Sequence, residues 1–114
     1  MKPDGVVVFE EPYLGAMLEK TSYDQIYDEH FYMFSANSIT SILDKFNLEL
    51  VSAERISTHG GSMRYYVKKT KSFKISKQLK QVLKYEKDLK ISKIKTIKKF
   101  AANCINSKRR ILKI

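Results

Sequence analysis

Gly5-Val6-Val7-Val8-Phe9-Glu10-Glu11-Pro12 is the stretch on which the fold turns. It follows Lys2-Pro3-Asp4-Gly5, a turn signal. Val6 to Phe9 is a continuous apolar run rich in β-branched side chains, and such a run predicts a strand buried on both faces, as in a parallel sheet. Pro12 closes the strand. Acidic residues just past the carboxyl end of a buried strand, here Glu10 and Glu11, lie where α/β folds place ligands. The alternative is that Glu10 and Glu11 are wet loop residues.

Working outward, Tyr13 to Glu19 is a short helical or irregular piece with Leu14 and Leu18 four apart. Asn37 or Ser38 caps a helix whose Ile39, Ile42, Leu43 and Phe46 share one face, and Asn47 suits a left-handed C-cap. Leu48 to Ile56 reads as a strand with Leu48, Leu50 and Ser52 on one side. The loop Thr58-His59-Gly60-Gly61-Ser62 leads to a second strand, Met63 to Val67. So short a connection predicts an antiparallel pair, because a parallel return needs a longer crossover. Beyond Ser72 the spacing changes. Phe73, Leu79, Val82, Leu83 and Glu86 fall at three- and four-residue spacings and predict an amphipathic helix from Ser76 to about Lys90. Ile94, Ile97, Ala101, Cys104 or Ile105, and Ile111 or Leu112 predict a second helix or a long continuation. Each helix has one narrow apolar stripe that needs something to pack on.

Between the first strand and the first long helix lies Tyr23-Asp24-Gln25-Ile26-Tyr27-Asp28-Glu29-His30-Phe31-Tyr32-Met33-Phe34. It combines five aromatic residues with Asp24, Asp28, Glu29 and His30 and contains no glycine or proline. Rings holding a few polar groups in place describe a pocket wall. A plain aromatic helix start, with Glu29 and His30 facing water, is the competing reading.

The 114 residues suffice for one modest domain. No apolar run is long enough to span a bilayer and no secretory leader is visible, so the expected location is cytoplasmic and no membrane is expected as partner. One cysteine, Cys104, and two distant histidines make neither an internal disulfide nor a zinc motif, and no metal is expected. The net charge of +10 is divided unevenly: residues 1–67 carry 5 Lys/Arg and 10 Asp/Glu, net −5, and residues 68–114 carry 17 Lys/Arg and 2 Asp/Glu, net +15. An acidic first unit, 1–69, and a basic helical segment, 70–114, are the expected division.

Three blocks, Glu10-x-Pro12-Tyr13, then Tyr23 through Phe34, then His59-Gly60-Gly61-Ser62-Met63-Arg64, occur in an order that resembles the sugar C-methyltransferase family. The resemblance is clearest over about residues 2–68 and less specific in the helical part, Glu86 included. It implies an S-adenosylmethionine-dependent enzyme that methylates a ring carbon of a nucleotide-linked keto-deoxysugar. The implied fold is α/β: part of a class I methyltransferase-like (Rossmann-like) mixed sheet, with an antiparallel edge pair, followed by the basic helical tail that starts the family's C-terminal region.

In that picture His30 is the base that removes the proton next to the ketone, Glu29 orients it or binds sugar, and Tyr27 donates a hydrogen bond to substrate. His59, Arg64, Tyr13 and Asp28 are expected on the substrate side, and Glu10 near the cofactor. The family reads Tyr-His-Glu-His where this chain has Tyr27-Asp28-Glu29-His30, so Asp28 departs from the pattern. The glycine-rich donor loop is not in the sequence, so the chain is expected not to bind S-adenosylmethionine well alone and to work, if it does, with a complementing methyltransferase fragment or as a homo-oligomer. Two rivals stand beside this: a non-catalytic interaction fragment, and a nucleic-acid-binding module using the basic tail. The second is disfavoured because the lysines are spread around the helices and no recognised nucleic-acid motif is present.

Overall fold

The computed structural model describes residues 2–26, 30, 32–58, 61–69 and 74–114. Three strands, β1 (Val6–Pro12), β2 (Glu49–Ile56) and β3 (Ser62–Lys68), form one antiparallel sheet in the order β1-β3-β2. Four helices accompany it: α1 (Leu14–Lys20), α2 (Ala36–Asp44), α3 (Lys77–Leu89) and α4 (Ile94–Leu112). The protein is thus a small α/β structure, and the predicted antiparallel pair is present as β2 and β3.

Strand β3 occupies the centre because both its edges are paired. Its Met63, Tyr65 and Val67 are buried, while Arg64, Tyr66 and Lys68 alternate onto the opposite, wetter face. The buried face packs against helices through Tyr13, Ala16, Ala36, Ile39, Leu50, Ala53, Leu79 and Val82. Helix α3 contributes Leu79 and Val82 to this core, so its apolar stripe is covered by β2 and α2. Its entry is anchored where Ser76 N–H donates to the Val51 carbonyl at 2.8 Å and the Ser52 and Ser76 hydroxyls meet at 2.8 Å. Helix α4 differs: it buries none of its residues, and Ile94, Ile105, Ile111 and Leu112 are all more than half exposed.

Expectations for β1 and β2 are corrected. The apolar run of β1 is not buried on both faces. Val6, Val7 and Val8 are 46%, 44% and 50% exposed: β1 is an edge strand, antiparallel to β3, and among the described residues no helix covers this part of it. The strand includes the proline expected to close it. It runs through Pro12, which an edge position tolerates because a proline needs no ladder donor on the open side. In β2 the expected alternation breaks at a bulge between Leu50 and Ser52, which brings Ala53 rather than Ser52 into the core with Leu50.

The helix ends follow local chemistry. Ser35, not Asn37 or Ser38, caps α2, and its hydroxyl and that of Ser38 form a reciprocal capping box. Asn47 takes the left-handed conformation with φ 54°. Helix α3 starts at its Ser76 cap and ends at Lys90, also left-handed with φ 56°.

Candidate functional site

The three motif blocks meet at Tyr13. This residue follows β1 and its side chain is buried, 1% exposed. Its N–H donates to the Gly61 carbonyl at 3.1 Å, which brings in the glycine loop before β3. It also forms an isolated parallel bridge with Phe34, reinforced by Leu14 N–H donating to the Phe34 carbonyl at 2.9 Å. The aromatic stretch therefore leaves the sheet after Tyr13 and returns beside it at Phe34. Close packing makes this possible. A Cβ on Gly15 would overlap the Tyr13 ring, and a Cβ on Gly61 would lie 2.6 Å from that of Ala16.

Beneath this crossing sits a buried carboxylate. Glu86, 1% exposed on α3, accepts from the Tyr13 hydroxyl at 2.9 Å, from Ala36 N–H at 2.8 Å and from Asn37 N–H at 2.9 Å. The two amides belong to the first turn of α2, where unpaired N–H groups and the helix dipole favour a negative charge. Burial, and then the Glu86 charge, raise the Tyr13 hydroxyl far above the ordinary phenol range. Burial also raises Tyr65, with the charges of Glu86 and Glu11 adding to the effect. Both phenols stay neutral donors at working pH. The Tyr65 hydroxyl is buried and has no hydrogen-bond partner among the described residues.

His30 is half-buried, and its Nδ1 lies 3.7 Å from Glu11 Oε2. Glu11 is one of the two acids noted after the first strand, but the family resemblance gives it no role. Strand parity explains its position: it lies two residues after Phe9, whose ring packs 5.1 Å from that of Tyr65 on the core side of the sheet. Glu10, one residue earlier, faces the other way. There Arg64 is set between two acids, with Nη2 at 2.6 Å from Glu10 Oε1 and Nη1 at 3.7 Å from Glu54 Oε2. The three residues are register partners across β1, β3 and β2. Arg64 and Glu10 thus stand together on the open face of the sheet, on the side opposite His30 and Glu11. Tyr27, Asp28, Glu29 and His59 lie outside the described residues.

A second polar cluster joins α1, β2 and α3. Glu19 accepts from Tyr85 at 2.7 Å and from Arg55 at 3.2 Å, and the Arg55 guanidinium lies over the Tyr13 and Tyr85 rings at 5.5 and 5.3 Å. The hydrogen bonds from Tyr85 and Arg55 hold the Glu19 carboxyl below its ordinary range. Among the described residues no group of three or more His, Cys, Asp or Glu side chains is placed to hold a metal, and no helix is long and apolar enough to cross a membrane.

The fold and the site define the class: an α/β unit that holds a histidine–carboxylate pair at the end of its edge strand. Comparison with known proteins then makes it specific. The sequence profile of the C-methyltransferase C-terminal domain family matches residues 57–114, and the chain belongs to that family. The match spans β3, α3 and α4, including the helical part whose motifs are the less specific to the eye. The chain is also 35% identical over 63 residues to the C-methyltransferase NovU of Streptomyces niveus. That alignment spans 55% of this chain but only 15% of the relative.

Proposed function

We propose that this chain is the portion of a sugar C-methyltransferase that carries the proton-abstracting side of the active centre. The observation that carries the reading is the convergence at Tyr13 of the three motif blocks, with His30 returned to the end of β1 beside Glu11. C-methylation next to a ketone requires removal of a proton from carbon, and a histidine works near neutral pH. With Nδ1 directed at Glu11, Nε2 is the nitrogen that takes the proton. The C–H electron pair passes into the enolate, and the imidazolium that forms is steadied by the Glu11 carboxylate. Tyr27, Glu29, Asp28 and His59 complete the substrate side in this reading, with Arg64 meeting a phosphate of the nucleotide if it leaves Glu10.

S-adenosylmethionine would supply the methyl group in such an enzyme. The described residues do not fit a site for it. Glu10 is engaged by Arg64, and Gly15, the glycine next to the end of β1, is covered by the Tyr13 ring. The donor site is assigned instead to the larger part of the enzyme, in keeping with a chain that aligns with 15% of its relative. In the same reading β1 is the fifth strand of a class I methyltransferase sheet.

The test is a chimera in which this chain replaces the aligned part of the Streptomyces niveus C-methyltransferase, assayed for methyl transfer to a nucleotide-linked ketosugar. Transfer is expected, and His30→Gln should lower it by about 10²–10⁴-fold, the usual contribution of a general base. A folded, active chimera indifferent to His30→Gln would refute the assignment.

A further inference from the structure

Glu86 lies in α3, far in sequence from the segment that carries His30, yet it touches both ends of that segment. At one end it accepts from the Tyr13 hydroxyl, and at the other from Ala36 and Asn37 N–H. Residues 14–35 run between these points and carry His30. Among the described residues the two ends are also tied by the Tyr13–Phe34 bridge, the Leu14 to Phe34 hydrogen bond and the core that Tyr13 and Ala36 share. A fully buried carboxylate with three donors is held by charge-assisted bonds, which are about twice as strong as neutral ones. Losing them leaves the buried Tyr13 hydroxyl and Ala36 N–H unpaired, and the part-buried Asn37 N–H with them.

We propose that Glu86 is a positioning residue: by clasping Tyr13 and the start of α2 it fixes where the chain departs from β1 and where it re-enters at α2, and so holds His30 against Glu11. Its catalytic meaning rests on the methyltransferase reading above, but the geometry does not. The helix that belongs to the C-terminal family domain would thereby control a histidine that lies outside the matched residues 57–114. It would also explain a buried acid on the same apolar stripe as Leu79 and Val82.

The experiment is solution NMR of the 114-residue chain, with the His30 ring signal told from that of His59 by a His59→Gln variant. Glu11→Gln reports the contact, and it is expected to move the His30 ring signal in the wild type. In Glu86→Gln the amides of Ala36 and Asn37 should exchange with solvent roughly tenfold faster or more, as befits loss of bonds to a charged acceptor. The His30 signal should shift, and adding Glu11→Gln should then leave it unmoved, while β2 and β3 amides keep wild-type shifts. If Glu11→Gln moves His30 as far in Glu86→Gln as in the wild type, the proposal is overturned. It is likewise overturned if Glu11→Gln has no effect in the wild type. Should Glu86→Gln unfold the chain, Tyr13→Phe, which removes one of the three bonds, decides the matter by the same readouts. None of these signals requires donor or substrate, so a failure of the methyltransferase assay leaves this result standing, and the reverse holds as well.

Discussion

Replacing Gly61 by alanine attacks the junction of two motif blocks with a single methyl group. Gly61 has φ 125°, a backbone conformation that side chains with a Cβ rarely adopt. Its added Cβ would lie 2.6 Å from that of Ala16, about 1 Å inside an ordinary carbon–carbon contact. Ala16 is 1% exposed on α1 and has no soft path of retreat. Backbone strain costs about 1–3 kcal/mol and overpacking about the same, so Gly61→Ala should lose about 2–6 kcal/mol. That is a large share of the roughly 5–15 kcal/mol that holds a domain together. Urea unfolding followed by circular dichroism measures it, provided the slope is unchanged.

The double variant separates the two causes. Ala16→Gly alone should cost about 1–2 kcal/mol, from helix propensity and one lost buried methyl. It opens space for the Gly61→Ala methyl but leaves the dihedral strain. Ala16→Gly/Gly61→Ala should therefore be more stable than the sum of the single losses by about 1–3 kcal/mol. A Gly61→Ala protein within about 0.5 kcal/mol of wild type would refute the whole argument, because surface changes without a specific contact fall in that range. A strictly additive double variant would refute the packing half. Since the Gly61 carbonyl receives the Tyr13 N–H, this glycine is a structural joint of the candidate site.

Two further outcomes follow from the packing and the charges. Leu79→Ala, at a fully buried position of α3, should cost about 2–5 kcal/mol, whereas Ile105→Ala on the open face of α4 should change urea stability by less than about 0.5 kcal/mol; equal losses would mean that α4 is packed in solution. Glu19 has a lowered native pKa, so its pairing contributes fully above the ordinary glutamate value of about 4.3 and is lost as pH falls through the lowered value. Glu19 is half-exposed, so Glu19→Gln should cost under about 1 kcal/mol at pH 7 and nothing near pH 2. A penalty that grew toward acid would contradict the direction of the shift.

What the sequence shows depends on how local the cause is. Helix α3 is legible from Ser76 to Lys90, and Asn47 as a left-handed residue, because caps and single-residue conformations are set within a few residues. The same rule misplaced the cap of α2 by two or three residues, since Ser35, Asn37 and Ser38 are chemically alike and only the buried Glu86 distinguishes where the helix begins. Strand surroundings are set by partners far along the chain. Val6-Val7-Val8 has the pattern of a strand covered on both faces, and no local feature states whether the cover belongs to the same chain. The bulge in β2 is equally silent, because Val51 and Ser52 suit either register.

The places of two acids at the candidate site were written in the periodicity. Glu86 falls on the stripe of Leu79 and Val82, and Glu11 lies two residues beyond Phe9 on an alternating strand. An acid in register with apolar neighbours must find donors or a counter-charge, since burial without them is costly. Glu86 finds Tyr13 and the start of α2, and Glu11 lies beside His30. Glu10 and Glu54, out of register with the core, instead share Arg64 on the wet face, where an ion pair contributes little. Register, more than nearness to a motif, is therefore what separates the carboxylates that shape the His30 site from those that dress the surface. By that criterion the motif residue Glu10 is the weaker candidate, and its neighbour Glu11 the stronger.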